Sequence, residues 1–395
     1  MGLRKFIGGA SPPANRESKR DNPLRFNDNA SMAKRARFSL GGVTVPAGAS
    51  RQIRMKISER YTGDPISLPV HVVRAKRSGP TVFVSAAVHG DELNGMGVIH
   101  DLIFGEPIEL THGTLILVPV VNIFGLEVQS RYMPDRRDLN RSFPGSSKGS
   151  LTSRVARAFF DEIISKCDYG IDLHTAAGGW TNFPNVRGDL TNRSVRRIAK
   201  AFGCELMVNG KGPDGSLRRE AVRAGCPTII LEAGEPLKIE PGVLAIGLRG
   251  VRNVLRELGM MAGKVEVPAY QLRVDKSVWV RAEVGGILRF HVAPGTFVEE
   301  GMAVATNAGI FGETQNQLLA PADGIVLGMT TLPTVKPGEP VCHLALPTRS
   351  LRSLRKALKD GKPNTLYHQV RKDLATNVSV SEQEIDATVH GGGEA

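Results

Sequence analysis

The chain has 395 residues, 41% hydrophobic and 23% charged, an ordinary globular composition too long for one core and sufficient for two domains with tails. The net charge of +12 is uneven: residues 1–60 hold 13 Lys+Arg against 4 Asp+Glu, residues 348–395 hold 8 against 6, and the body between holds 30 against 29. A nearly neutral body without a basic, aromatic-laced face excludes a nucleic-acid reader, and no apolar run is long enough to span a bilayer. Four scattered cysteines, Cys167, Cys204, Cys226 and Cys342, fit reduced thiols in a cytoplasmic protein better than a disulfide framework or a zinc ribbon. No apolar stretch with a small-residue cleavage site follows the basic N-terminus, so no secretory leader is expected. Phe6 stands where N-myristoylation needs Ser or Thr.

In chain order, residues 1–45 read as a disordered basic leader rich in Arg, Asn, Ser and Pro, within which Met32 is an alternative start. Residues 51–58 and 69–74 alternate like edge strands. Val82–Val88 is a continuous apolar run, the pattern of a strand buried on both faces, and a helix follows over Asn94–Phe104. Thr114–Val121 is a second such run. Ser130–Gly149 is a long polar loop, a length that marks either function or disorder. Leu151–Cys167 is an amphipathic helix with Val155, Phe159 and Ile163 on one face. Then come a strand at Tyr169–Leu173, a helix at Ser194–Phe202, an extended Glu205–Val208, a helix at Leu217–Ala224, a short buried strand at Thr228–Leu231 and a helix at Pro241–Leu258. This alternation predicts an α/β domain with a mostly parallel, mixed sheet over residues 46–262.

From 268 to 347 the composition shifts to short strands with many Gly and Pro. Two halves resemble each other, one from Gly286 to Val304 and one from Gly324 to Val341, with Gly-to-Gly separations of 15 (286 to 301) and 14 (324 to 338). Such a repeat predicts a small β-sandwich or flattened barrel. With its Ala320-Pro321-Ala322-Asp323-Gly324 turn, the region resembles the biotinyl/lipoyl-carrier fold. Residues 305–323 contain no Lys to modify, so a structural or site-covering role is expected rather than a carrier one. The segment 348–395 is a tail with a basic helical stretch, Leu351–Leu358.

The chemistry gathers where apolar strands end. The run at 82–88 stops at His89-Gly90-Asp91-Glu92, and Tyr169–Ile171 leads into Asp172-Leu173-His174-Thr175. Strand ends are where open α/β sheets place their ligands, and two His with one carboxylate are a common catalytic zinc set. His89, Glu92 and His174 are therefore the candidate metal ligands. Glu232, after the apolar run Ile229–Leu231 and beside Ala233-Gly234, is the candidate general base. Arg131, Asn140 and Arg141 are candidates for substrate binding, since Arg matches carboxylate oxygens in a planar fork; Arg131 alternatively holds a developing oxyanion. Asp138 is the candidate partner that orients the His89 ring. Trp180 either lines the pocket or simply packs. His71, His100, His112, His291, His343, His368 and His390 have no such context and are expected to be structural or solvent-exposed.

Taken in order, HGDE (89–92), RDLNRSFPG (137–145), DLHT (172–175) and LEAG (231–234) resemble the succinylglutamate desuccinylase/aspartoacylase family, itself related to the zinc carboxypeptidases. The resemblance covers about residues 50–262. It implies one zinc per chain on His89, Glu92 and His174, Glu232 as general base, and a substrate carboxylate on Asn140 and Arg141. Arg131 is carried over as the oxyanion-stabilising residue, with Arg136 and Arg137 as alternatives. The attached β region is similar to that of a deacylase subgroup acting on N-acyl amino acids such as N-acetyl-diaminobutyrate. The expected activity is thus zinc-dependent removal of an acyl group from a small N-acyl amino acid, of the N-acetyl-diaminobutyrate, N-succinylglutamate or N-acetylaspartate type. A metallocarboxypeptidase is the second reading and a non-catalytic carrier or binding protein the third. Neither nucleic acid nor membrane is expected as a partner, and homo-oligomerisation stays open.

Overall fold

Two strands of alternating burial, β3 (Ser50–Glu59) and β4 (Pro65–Arg74), pair antiparallel at one edge of the main sheet; a small hairpin, β1 (Phe38–Leu40) with β2 (Val43–Val45), precedes them. The structure, a computed structural model, describes residues 38–347. Most of the basic leader with Met32, the tail with its Leu351–Leu358 stretch, and His368 and His390 lie outside the described residues.

The sheet continues through β5 (Arg77–Ala86), helix α1 (Asn94–Phe104), β6 (His112–Val118), the short α2 (Ile123–Glu127), α3 (Leu151–Glu162), β7 (Tyr169–His174), β8 (Trp180–Gly188), α4 (Arg193–Phe202), β9 (Leu206–Asn209), α5 (Leu217–Arg223), β10 (Thr228–Gly234) and α6 (Pro241–Glu257). β6, β5, β7 and β10 lie side by side and all run parallel. Along β5 the side chains alternate between two cores. Val82, Val84 and Ala86 join the cluster that includes Val98 and Ile99 of α1, while Phe83 joins the one that includes Val155 and Phe159 of α3. That is why the strand reads as an unbroken apolar run: both faces are covered by helices. The long loop 130–149 is held by Met133, Leu139 and Phe143, all buried in the second core, and contains a 3-10 turn at Leu139–Arg141.

The strand-rich region supplies β11 (Leu272–Arg281), β12 (Gly286–Phe290), β13 (Phe297–Val298), β14 (Ala303–Ala308), β15 (Thr314–Leu319), β16 (Gly324–Thr330), β17 (Thr334–Val335) and β18 (Pro340–Pro347). The internal repeat appears in the pairing. β12 pairs with β14 of its own half and β17 of the other, while β16 pairs with β18 of its own half and β13 of the other. β11 pairs parallel with β9, so this region extends the same sheet, whose order is β13-β16-β18-β11-β9-β8-β10-β7-β5-β6-β4-β3. β16 also pairs with the first residues of β8, which closes β8-β9-β11-β18-β16 into a ring of hydrogen-bonded neighbours. The polar edges of β9 and of the start of β8 are thereby satisfied rather than left open.

One strand of that ring was not expected from sequence. Residues 180–188 contain Asn182, Pro184 and Asn185, residue types that disfavour strands, yet β8 lies between β10 and its two partners on the other side. Its register against β10 slips, because Glu232 faces Asn185 while Gly234 faces Asn182. Three steps along β8 therefore match two along β10, a bulge at Phe183-Pro184 that accommodates the proline.

Candidate metal centre and its pocket

Parallel strands deliver their C-terminal ends to one edge. β5 runs out at Ala86, whose neighbour Ala87 takes a left-handed backbone (φ 48°) and turns the chain toward His89. A Cβ on Gly90 would lie 2.0 Å from the carbonyl carbon of Gly125, so the HGDE turn needs its glycine for close packing on α2. β7 ends at His174, and β10 places Glu232 beside it in register.

Glu92 is the hub of the triad. Its Oε1 lies 2.6 Å from His89 Nδ1 and its Oε2 lies 2.8 Å from His174 Nδ1. His89, Glu92 and His174 are only 3%, 2% and 3% exposed. The outer nitrogens are also fixed: His89 Nε2 is 3.2 Å from Asp138 Oδ1, and His174 Nε2 is 2.7 Å from Asp172 Oδ2. The Ser85 hydroxyl donates to the other Asp172 oxygen at 2.7 Å. Burial pushes both imidazoles down, but Glu92 with Asp138 on one ring, and Asp172 with Glu92 on the other, outweigh it and raise both. Burial likewise pushes Glu92 up, and the two imidazoles reverse it, holding the carboxyl well below the usual range.

This donor set fits a divalent metal. One ligand atom from each of the three residues lies within 4.8 Å of the others. Each ring has its outer nitrogen on a carboxylate, which fixes the tautomer that turns the Nδ1 lone pair inward. Two imidazoles with one carboxylate suit zinc.

The triad forms the floor of a cavity of about 420 Å³. Arg131, Asn140, Arg141 and Glu232 line it too. Of the three arginines weighed from sequence, Arg131 reaches the triad. Its Nη2 donates to Asp138 Oδ2 at 2.9 Å, and its Nη1 lies 3.3 Å from His89 Nδ1 and 3.5 Å from Glu92 Oε1. Arg137 instead donates to the Ser150 hydroxyl at 3.2 Å. Asn140 Oδ1 accepts from Leu217 N at 2.9 Å and so ties the 3-10 turn to α5. Arg141 Nη1 donates to the Asn140 carbonyl at 2.7 Å. Asn182 Nδ2 donates to Glu232 Oε2 at 3.1 Å, and Arg187 Nη1 is 3.8 Å from Glu232 Oε1.

Comparison with known proteins agrees with this geometry. The family model of the succinylglutamate desuccinylase/aspartoacylase catalytic domain matches residues 78–258. Residues 78–258 belong to that family. The N-alpha-acetyl-L-2,4-diaminobutyric acid deacetylase of Halomonas elongata is 28% identical over 303 residues, covering 72% of this chain and 87% of that protein. The succinylglutamate desuccinylase of Burkholderia thailandensis is 32% identical over 156 residues, 35% of this chain and 43% of that one. Among solved structures, the succinylglutamate desuccinylase/aspartoacylase of Rhodobacter sphaeroides superposes with a TM-score of 0.67 at 26% identity, covering 76% of this chain and 96% of its own. The ectoine utilization protein EutE of Ruegeria pomeroyi, at 24% identity and a TM-score of 0.68 over 76% and 97%, shares the fold. No helix of the described residues is long and apolar enough to cross a membrane.

The pocket also holds residues the sequence did not single out. Asp172 had a readable signal, since two residues before His174 on a strand it shares that side chain's face. Arg187 reaches the same cavity as Asn182, five residues away, because the β8 bulge shifts the alternation. Arg218 of α5 is 8% exposed, and its Nη1 has no hydrogen-bond partner among the described residues. Burial and the nearby Arg187 push this guanidinium down to about 10. His343, expected to be structural or exposed, lines the cavity and stacks on Trp279 at 4.0 Å, with Trp180 edge-on to Trp279 at 5.4 Å. Trp180 thus both lines the pocket and packs. Burial and Arg187 push His343 down to about 4, so it is neutral near pH 7.

Proposed function

We propose that this chain is a zinc-dependent hydrolase of linear amide bonds that removes the acyl group from a small N-acyl amino acid, of the N-acetyl-diaminobutyrate, N-succinylglutamate or N-acetylaspartate type. The observation that carries the reading is the convergence of His89, Glu92 and His174 at the floor of a cavity that also presents Glu232. The names of the Halomonas elongata and Burkholderia thailandensis relatives support it.

His89, Glu92 and His174 would hold one zinc per chain. When bound, the metal supplies Lewis acidity, lowering the pKa of a water and polarising a carbonyl. Glu232 takes the proton of the attacking water as the C–O bond forms, then passes it to the departing nitrogen as the C–N bond breaks. Asn182 and Arg187 flank that carboxylate and restrict its rotation. Arg131, anchored by Asp138 beside the triad, faces negative charge that develops on the carbonyl oxygen. Asn140 and Arg141 hold a substrate carboxylate, and Arg218 joins them. A buried guanidinium nitrogen with no partner is costly, and a ligand carboxylate would satisfy it.

The test is metal analysis of the purified chain together with a panel of N-acyl amino acids and peptides, for wild type and Glu232→Gln. Release of acetate or succinate by wild type, with a loss of about 10²–10⁴-fold in kcat for Glu232→Gln at unchanged zinc content, is the expected result. Release of C-terminal residues alone would make the chain a metallocarboxypeptidase. Full hydrolysis by Glu232→Gln would remove Glu232 as the base, and zinc binding with no hydrolysis of any substrate by wild type would return the chain to the binding proteins.

A further inference from the structure

The C-terminal strands touch the catalytic pocket not only with aromatic walls but also through the backbone of β8. β16 runs antiparallel to the start of β8, pairing Gly328 with Asn182, Met329 with Thr181 and Thr330 with Trp180. The contact is clamped just upstream, where the Thr330 hydroxyl and the Thr331 amide both donate to the Gly179 carbonyl, at 3.1 and 2.8 Å. At the centre of this clamp the Asn182 side chain is used at both ends. Its amide nitrogen donates to Glu232 Oε2 at 3.1 Å, and its amide oxygen lies over Gly328. A Cβ on Gly328 would stand 2.5 Å from Asn182 Oδ1 and 3.0 Å from the Thr181 carbonyl. Nothing larger than glycine leaves Asn182 where it is.

We propose that Asn182 is a positioning residue for Glu232, and that Gly328 in the C-terminal strands is the seat that lets Asn182 reach it. The inference rests on the reading of Glu232 as the general base. A glutamate at a strand end turns about three side-chain bonds, and only some of its rotamers bring an oxygen to a bound water. One amide donor on Oε2, with Arg187 beside Oε1, selects among them. The bulge at Phe183-Pro184 sets the reach of Asn182, and the β16 pairing sets its depth. The C-terminal region is then part of how the base is aimed, although it contributes no reacting group.

The experiment is steady-state kinetics of the zinc-loaded full chain on N-acetyl-L-2,4-diaminobutyrate and N-succinylglutamate, for wild type, Asn182→Ala, Gly328→Ala, the double variant and Glu232→Gln. Each single variant should lower kcat by about 10- to 100-fold with KM within about twofold and zinc content unchanged. The double variant should lose no more than Asn182→Ala alone, because the seat acts only through Asn182. Losses that multiply in the double variant, or that appear only in KM, overturn the proposal. Should Gly328→Ala fail to fold, Asn182→Asp carries the test. It keeps the size but replaces the donor with a carboxylate against Oε2, so it must lose at least as much kcat as Asn182→Ala. An inactive Glu232→Gln beside wild-type kcat in the Asn182 variants sinks this inference alone, whereas an active Glu232→Gln sinks the base assignment and the inference with it.

Discussion

The parallel strands β5, β7 and β10 and the later strands β11 and β18 meet in one cavity but serve it differently. The parallel strands end there, each handing over a titratable side chain at its C-terminal tip: His89 and Glu92 just past β5, His174 on β7 and Glu232 on β10. The later strands pass along the cavity and give it walls, with Trp279 from β11 and His343 and Pro340 from β18. The difference teaches that titratable groups sit where strand direction concentrates them, whereas the walls of the cavity come from lateral pairing.

The largest effect that could break this division is at a strand tip. His174→Ala should strip the metal and leave no measurable hydrolysis, read by zinc content after dialysis and by activity. Asp172→Asn, one layer further out, should weaken zinc affinity by about 10–100-fold, measurable by competition with a chelator. Retention of zinc by His174→Ala would remove the tips from the chemistry. On the wall, Trp279→Ala should raise KM by roughly 5–30-fold, the equivalent of about 1–2 kcal/mol of lost aromatic contact, while zinc stays bound and kcat stays close to wild type. A collapse of zinc content there would erase the distinction between tips and walls.

The smallest effect on hydrolysis, read in stability instead, lies at the seam between the two regions. Glu205 accepts Leu272 N through its backbone carbonyl at 2.7 Å, but its buried Oε2 has no hydrogen-bond partner among the described residues. Burial raises its carboxyl to about 7, against a pull in the other direction from Arg249. The folded chain holds this proton more tightly than the unfolded one. The resulting stabilisation is complete below the ordinary value of 4.5 and is lost as pH rises through about 7. Glu205→Gln should therefore flatten the decline in Tm between about pH 5 and 8, recovering at most about 3 kcal/mol at the upper end. Melting curves at stepped pH check it, and parallel wild-type and variant curves would refute it.

Where burial is two-sided the sequence is explicit. Val82–Val88 and Thr114–Val121 are apolar because both their faces are packed in cores, and the abrupt polar ends of Val82–Val88 and Ile229–Leu231, at His89 and Glu232, reach the cavity. The length and charge of loop 130–149 marked either function or disorder; its Arg131, Asn140 and Arg141 line the cavity, and Asp138 holds Arg131 there. β8 was not legible, because Asn182, Pro184 and Asn185 are poor strand formers and only pairing on both sides keeps them extended. Trp279 and His343 are partners across the β11–β18 ladder, a neighbourhood that no local pattern announces. Arg218 sits in an ordinary-looking helix, and what sets it apart is a missing partner, which sequence cannot display. The two β halves were visible as a spacing, but not their exchange of strands.

The closed run β8-β9-β11-β18-β16 makes the chain a poor subject for modular exchange. A chimaera joined near residue 265, taking the front of one homologue and the back of another, would cut between strands that hydrogen-bond to each other, β9 with β11 and β8 with β16. Recombination that respects the molecule must carry β8 and β9 along with the C-terminal part, so the aromatic walls of the cavity travel with Asn182 and Arg187, the neighbours of Glu232.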